Sequence, residues 1–203
     1  DYLNYVYLCD NDDPGTAETD ESTQNCTELA RYITAYWQGG RWVMDASHLL
    51  AAVKDGGTHT IRAYSQETYD ITLSLRLSNK GSGSSPFATQ FLWTGGGFDT
   101  TYNDNHPPIT FTPPAGTTHV KLFTIITGHG FGADTANCAE FCNHQHEFTV
   151  NNGSPYLEEF TMAGSSTGCA DQVATRGVAP NQAGTWPLGR GGWCPGSGVD
   201  PWI

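Results

Sequence analysis

The chain contains 203 residues, with 9 Lys or Arg against 21 Asp or Glu, and carries a formal net charge of -12 at pH 7. Because its few basic residues form no run, nucleic acid and anionic membrane surfaces are excluded as favourable partners. No apolar segment approaches the roughly 20 residues that a membrane-spanning helix requires, so the sequence predicts no membrane span.

Taken in chain order, the predicted elements are almost all β-strands. Segments rich in β-branched and aromatic residues, often in alternation, are separated by clusters of Gly, Pro, Asn and Asp, as is typical of strands joined by turns. The predicted strands cover residues 2–8, 58–64, 69–77, 87–93 and 117–126. A helix of one or two turns is predicted over residues 46–53, after Asp45, which can cap its first turn.

Composition and spacing favour packed antiparallel sheets. The chain contains 24 glycines and 11 prolines, and its strands recur at turn-bounded intervals, so we predict an all-β fold of the sandwich or jelly-roll type. Residues 79–86 (NKGSGSSP) have the composition of a linker. We therefore predict an N-terminal domain over residues 1–80, a linker over 81–86 and a C-terminal domain over 87–203.

The six cysteines favour disulfides over a metal site. Most of them are widely scattered and lack the paired Cys-x-x-Cys spacing of a structural zinc site. Their local order favours three disulfides, namely Cys9 with Cys26, Cys138 with Cys142, and Cys169 with Cys194. Two sequons, at Asn25 and Asn152, are potential glycosylation sites in a secretory pathway. Together these features predict a secreted or extracellular protein.

The segment at residues 138–142 (CAEFC) is the most informative feature of the chain. A disulfide between its two cysteines would close a small ring and point Glu140 in one direction. A carboxylate that positions water or substrate depends on such a fixed orientation. The same spacing is also compatible with half of a zinc site, or with two buried thiols that flank a solvated glutamate.

Three motifs carry a resemblance to a known family. They are residues 31–37 (RYITAYW), the CAEFC segment, and residues 190–196 (RGGWCPG). In order and spacing, together with the start of the chain and Cys169, they resemble the bacterial peptide-N-glycosidase F family. The resemblance implies two antiparallel eight-stranded jelly-roll domains, side by side, with an active site in the cleft between them. The family's first and last strands lie beyond this chain, so each domain is expected to be incomplete and the chain to be a segment of a longer polypeptide.

The family hydrolyses the amide that joins the first N-acetylglucosamine of an N-glycan to asparagine. The resemblance therefore implies a hydrolase that acts on N-linked glycoproteins or glycopeptides without a metal or other cofactor. Its other expected partners are further domains of the same polypeptide or an extracellular assembly. The resemblance also agrees with the disulfide pairs, except that Cys9 with Cys26 differs in position from the family's first bridge.

By position, the resemblance implies a catalytic pair of Asp1 and Glu140. Amide hydrolysis needs a carboxylate that activates or positions water and donors that meet the charge developing on the carbonyl oxygen. Asp1 would activate or position the water, and Glu140 would hold the first sugar. Arg190, expected on the rim of the cleft, would donate to the carbonyl oxygen. Trp193 and Tyr36 offer flat faces for a sugar ring.

Three more residues are predicted to bind substrate. The family's third acidic position coincides with Gln66 or with Glu67, depending on a one-residue insertion. Since one step along a strand reverses the face, only one of the two can reach the cleft. His129 belongs to the glycine-rich approach to the CAEFC segment and is the third.

Other features leave a second function open. Tyr2 replaces the arginine that usually follows the catalytic aspartate in the family, which favours a non-catalytic glycan-binding or assembly module as the alternative. Trp193 beside a cysteine is also typical of core packing. His144 and His146 alternate as the ligands of a copper or zinc site do, although solvated or aromatic-packed histidines are favoured. The acidic residues 10–13 lack EF-hand spacing, which favours a solvated loop over a calcium site.

Overall fold

The computed structural model of the chain describes residues 2–9, 26–78, 85–130 and 138–203. The strands within these ranges are β1 (Tyr2–Cys9), β2 (Cys26–Thr34), β3 (Thr60–Ser65), β4 (Gln145–Phe148) and β5 (Tyr156–Glu159). Helix α1 is a 3-10 turn at Ser47–Leu49 that continues as α-helix over Leu50–Val53, and α2 combines Ala170–Gln172 with Val173–Arg176 in the same way. The predicted all-β class is confirmed. The predicted helix after Asp45 is α1, and the Asp45 carboxylate accepts the backbone N–H of Ser47.

The main sheet is antiparallel with the strand order β2-β1-β3. Tyr2 lies opposite Thr34 and Cys9 opposite Cys26, with one irregularity in register between Val6 and Tyr7. The predicted strands at 2–8 and 58–64 correspond to β1 and β3, whereas β2 was not predicted. Its sequence lacks clean alternation, and pairing with β1 is what makes it extended.

Side chains that alternate along β1 contribute to two apolar clusters, one on each face of the main sheet. Val6 and Leu8 of β1 belong to the first cluster, which includes Leu49 of α1. Leu3 of β1 belongs to the second, and there it meets Trp193 from the C-terminal part of the chain. Because side chains two residues apart share a face, β1 supplies both clusters.

The C-terminal segment lies directly against β2. The Ile33 N–H donates to the Ser197 carbonyl at 3.0 Å, and the Val199 N–H donates to the Arg31 carbonyl at 2.9 Å. The indole of Trp42 donates to the Gly196 carbonyl at 2.9 Å. Residues from the two predicted domains therefore share hydrogen bonds and one apolar cluster, and the domain boundaries themselves stay a prediction.

The strands predicted at 69–77, 87–93 and 117–126 are not formed, which corrects the sequence analysis. Apart from one bridge between Thr124 and Trp202, the described chain pairs no segment with them. Leu75 and Leu77 are accordingly 59% and 84% exposed. Alternation makes a segment suitable for a sheet, but a strand forms only where a ladder partner satisfies its backbone. No helix in the described ranges has the length and hydropathy needed to span a membrane.

Candidate functional site

Glu140 and Arg190 form a buried ion pair. Arg190 Nε donates to Glu140 Oε1 at 2.9 Å, and the two side chains are 2% and 14% exposed. Arg190 Nη1 also donates to the Leu188 carbonyl, and the guanidinium lies over the rings of Phe141 and Trp193. Burial lowers the pKa of Arg190, and the Glu140 carboxylate opposes that effect. Arg190 is therefore an internal anchor for Glu140, and the expectation that it lies on the rim of a cleft is wrong.

The backbone around this pair is held by a junction of three segments. The Gly128 N–H donates to the Gly191 carbonyl, the Gly191 N–H to the Glu140 carbonyl, and the Glu140 N–H to the Gly130 carbonyl. A Cβ atom at Gly128 or at Gly191 would overlap the Ala139 carbonyl. These glycines allow the segments to approach closely, and the junction fixes the neighbouring residues His129, Glu140 and Arg190.

Trp193 and His129 lie beside the junction. Trp193 is 7% exposed and its indole donates to the Gly128 carbonyl at 2.7 Å, so it packs in the core. The His129 ring lies 5.2 Å from the Trp193 ring, centroid to centroid, while the residue as a whole is exposed. Desolvation of the ring, followed by the charges of Arg31 and Arg190, lowers the pKa of His129 to about 4. The site therefore presents a neutral imidazole at neutral pH, with one donor and one acceptor nitrogen.

A second group of residues forms an aromatic pocket at the start of β1. The Tyr2 ring lies 5.2 Å from Tyr36, 6.2 Å from Trp37 and 6.4 Å from Tyr69. The cavity has a volume of ≈ 270 Å³, and Glu67 contributes the carboxylate of its lining. Trp37 is 78% exposed and has a φ of +59°, a conformation that bulky residues rarely adopt. Backbone strain of this kind is concentrated at functional sites in proteins, so the exposed Trp37 favours a binding role for the pocket.

The pocket distinguishes Gln66 from Glu67. Gln66 Oε1 accepts the backbone N–H of Leu3 at 2.9 Å and thereby extends the β1–β3 pairing by one residue. Glu67 lines the aromatic pocket instead. Desolvation is the main reason that the pKa of Tyr2 is raised, and the charge of Glu67 adds to it. The Tyr36 ring packs edge-on against the Tyr2 ring and so extends the aromatic group beside the pocket.

The three predicted disulfides are present, namely Cys9–Cys26, Cys138–Cys142 and Cys169–Cys194. The second closes the ring around Glu140 and the third lies beneath Arg190, whose Nη1 is 3.9 Å from Cys169 Sγ. Both alternatives for the CAEFC cysteines, a zinc half-site and free thiols, are therefore wrong. Two disulfides and one ion pair thus hold the Glu140 carboxylate in place.

His144 and His146 pack among aromatic rings. The His144 ring lies 4.9 Å from Phe98 and 5.0 Å from Phe160, while His146 lies 5.8 Å from Tyr102. Across the described part of the chain, no group of three or more His, Cys, Asp or Glu is arranged to hold a metal ion. His144 Cε1 also lies against Gly128 and Gly191, so this packing supports the junction from behind.

Residues 98–203 match the family model described as the C-terminal domain of peptide-N-glycosidase F. The chain belongs to this family. Over 90 residues, 42% of the chain, it is 31% identical to peptide-N(4)-(N-acetyl-beta-D-glucosaminyl)asparagine amidase F of Elizabethkingia miricola. The aligned part is 23% of that relative, so the chain spans about a quarter of the length of the curated protein it matches. No solved structure is significantly similar to the chain.

The junction residues of this peptide-N-glycosidase F family member all lie within the matched range, whereas the aromatic pocket precedes it. Sequence reasoning missed Trp37 and Tyr69 as candidate site residues. Their closeness in sequence to predicted site residues could have identified them, since Trp37 follows Tyr36 and Tyr69 lies two residues after Glu67. It also missed the steric role of Gly128 and Gly191, which depends on contacts far apart in sequence.

Some predicted features lie outside the described residues. These are Asp1, Asn25, the acidic residues 10–13 and most of the predicted linker. The pairing of Asp1 with Glu140 across one cleft therefore stays a prediction. Asp1 directly precedes Tyr2, which lines the aromatic pocket.

Proposed function

We propose that this chain is part of a secreted peptide-N-glycosidase, which hydrolyses the amide between N-acetylglucosamine and asparagine in N-linked glycoproteins. The observation that carries the proposal is the Glu140 carboxylate, held by Arg190 at 2.9 Å inside the region that matches the family model. Three disulfides support an oxidising, extracellular setting. Its proposed partners are N-glycoproteins and further domains of a longer polypeptide.

In this proposal Arg190 is a positioning residue. Its Nε donates a hydrogen bond to Glu140 Oε1, so Glu140 Oε2 is the oxygen that accepts a hydrogen bond from the first sugar, directly or through water. Its Nη1 donates to the Trp186 and Leu188 carbonyls and its Nη2 donates to the Thr185 hydroxyl, so donors other than Arg190 have to meet the charge that develops on the substrate carbonyl. The neutral imidazole of His129 can donate to that oxygen or to a sugar hydroxyl.

The aromatic pocket would bind the sugar, and Asp1, next to it in sequence, would activate the water. The exposed indole of Trp37 presents a flat apolar face, and Glu67 accepts hydrogen bonds from hydroxyls. No step in this scheme requires a metal or another cofactor. Water adds across the amide, leaving aspartate on the peptide and releasing a glycosylamine.

The decisive measurement is glycan release from a denatured glycoprotein by the full polypeptide that carries this chain. Glu140→Gln keeps the shape and the hydrogen bond from Arg190 but removes the charge, so we expect kcat to fall about 100-fold or more. Asp1→Asn should have an effect at least as large. Unchanged turnover in both variants would exclude these carboxylates as the catalytic pair.

A non-catalytic glycan-binding module is the second candidate, and the exposed Trp37 beside Tyr2 favours it. In that case the protein binds a glycopeptide, releases nothing, and loses binding in Trp37→Ala. Tyr156→Ala is the matched control, because Tyr156 is 59% exposed on β5, outside the pocket. Release by the unaltered protein would exclude this candidate.

A further inference from the structure

The turn between β4 and β5 carries a sequon. Asn152, Gly153 and Ser154 follow Asn151, and all four residues are exposed. Asn151 and Asn152 have φ angles of +50° and +57°, and the Gly153 N–H donates to the Val150 carbonyl at 2.9 Å. This is a tight reverse turn with two successive left-handed residues, in which Asn is well tolerated.

The side chains of the sequon are free to react. Neither Asn152 nor Ser154 makes a side-chain hydrogen bond to any described residue, and Val150 at the same turn is 56% exposed. A glycan at this position would project from a hairpin tip without displacing a packed side chain. The acceptor sequence needs an Asn amide and a hydroxyl two residues later, with no proline between them, and the turn meets each condition.

We infer that Asn152 is an N-glycosylation site and that its glycan is a substrate for a second copy of this same protein. The second half of this inference rests on the proposed function. In the reaction, the oxygen of a water molecule adds to Cγ of Asn152 and one proton is transferred to Nδ2. The Cγ–Nδ2 bond breaks, so Asn152 becomes aspartate and the glycan leaves as a glycosylamine, which a second water hydrolyses to ammonia and the reducing sugar.

The hairpin geometry makes this reaction intermolecular. His144, at the base of the hairpin, contacts the glycine junction that holds Glu140. Asn152 lies eight positions later in sequence, beyond the whole of β4. Extended residues advance about 3.3 Å each, which places the turn on the order of 20 Å from Glu140. The scissile amide lies on the Asn152 side chain itself, and at that distance it does not reach Glu140 of its own copy, so a second copy is needed to cleave it.

The test uses the full polypeptide secreted from a eukaryotic cell that attaches N-glycans. The Glu140→Gln variant is expected to retain a glycan at Asn152 in peptide mapping by mass spectrometry, while Ser154→Ala lacks it. Adding the active protein to this glycosylated variant in heavy-oxygen water should convert Asn152 to aspartate carrying one heavy oxygen. The initial rate should rise in proportion to the concentration of active protein.

The controls separate the two parts of the inference. An unmodified Asn152 in Glu140→Gln overturns the glycosylation site. A glycan that persists, while the active protein deglycosylates a standard denatured glycoprotein, overturns self-processing but leaves the proposed function intact. Spontaneous deamidation, which an Asn-Gly sequence favours, would also occur in Ser154→Ala and would yield isoaspartate as well as aspartate. Aspartate formed to the same extent in Ser154→Ala therefore overturns the enzymatic origin.

Discussion

At the scale of single residues, the site depends on one desolvated charge pair. Arg190 is 2% exposed and combines the bond to Glu140 with carbonyl and aromatic contacts. Desolvating two charges costs free energy that only good geometry and further hydrogen bonds can offset. The pair is therefore better explained by the need to orient Glu140 than by any gain in stability.

Removing one partner of the pair should be strongly destabilising. Arg190→Ala leaves the Glu140 carboxylate partly buried without its cation, so we expect the free energy of unfolding to fall by about 3–5 kcal/mol in urea denaturation. The double variant Arg190→Met with Glu140→Gln removes both charges and should recover much of that loss. Equal destabilisation in the single and double variants would show that packing, and not the charge, is responsible.

The glycine junction makes a steric prediction. Gly191→Ala would place a Cβ against the Ala139 carbonyl and His144 Cε1, so we expect a loss of about 1–3 kcal/mol in the free energy of unfolding. Activity should fall as well, because Arg190 adjoins the junction. Gly184 is the matched control, since a Cβ there meets no atom within 4 Å. If Gly184→Ala and Gly191→Ala behaved alike in thermal melts, the junction would not be tightly packed.

At the scale of elements, the β4–β5 hairpin and residues 98–106 are joined by aromatic and imidazole rings. His146 lies near Phe98 and Tyr102, and it faces Glu158 across the hairpin. Desolvation is the largest cause that lowers the pKa of His146 to about 4, followed by the charges of His144 and His106. This packing stabilises the neutral imidazole and places it behind the site.

The hairpin should therefore lose stability in acid. The folded pKa of His146 is about 4 against an ordinary value of 6.5, so the folded state favours the neutral ring. Its contribution is complete above pH 6.5 and is lost as the pH falls from 6.5 towards 4. We expect thermal melts of His146→Gln to show a shallower pH dependence over that window than the unaltered protein. His119→Gln, at an exposed position, should retain the original slope, and a retained slope in His146→Gln would contradict the assignment.

At the scale of the whole molecule, disulfides link segments that the small sheets do not. Cys169 and Cys194 are 0% and 3% exposed and lie 25 residues apart, whereas Cys138 and Cys142 are separated by 4. By loop-closure entropy, removing the longer bridge should cost about 3.5 kcal/mol and removing the shorter one about 2 kcal/mol. Paired Cys→Ala variants, compared by urea denaturation, measure this difference. A larger loss from the shorter bridge would mean that orientation of the Glu140 ring, and not chain entropy, dominates.

Local sequence was enough to predict the elements whose causes are local. Alternation in β1 and β3, the short helix after Asp45 and the cysteine order all correspond to the structure. The same alternation predicted a strand over residues 69–77 that is not formed, because the described chain supplies it with no ladder partner. The local pattern shows that a segment can pair but not whether a partner lies beside it.

The sequence by itself determined the all-β class, the disulfide pairs, and the carboxylate at position 140 as the residue whose orientation is constrained. Only the tertiary structure decided that Glu67 and not Gln66 lines the pocket, that Arg190 is buried, and that Trp37 is exposed. The physical reason is the range of the interactions. Strand propensity and small-ring closure act between neighbours in sequence, whereas desolvation and the face that a side chain presents depend on packing between segments distant in sequence.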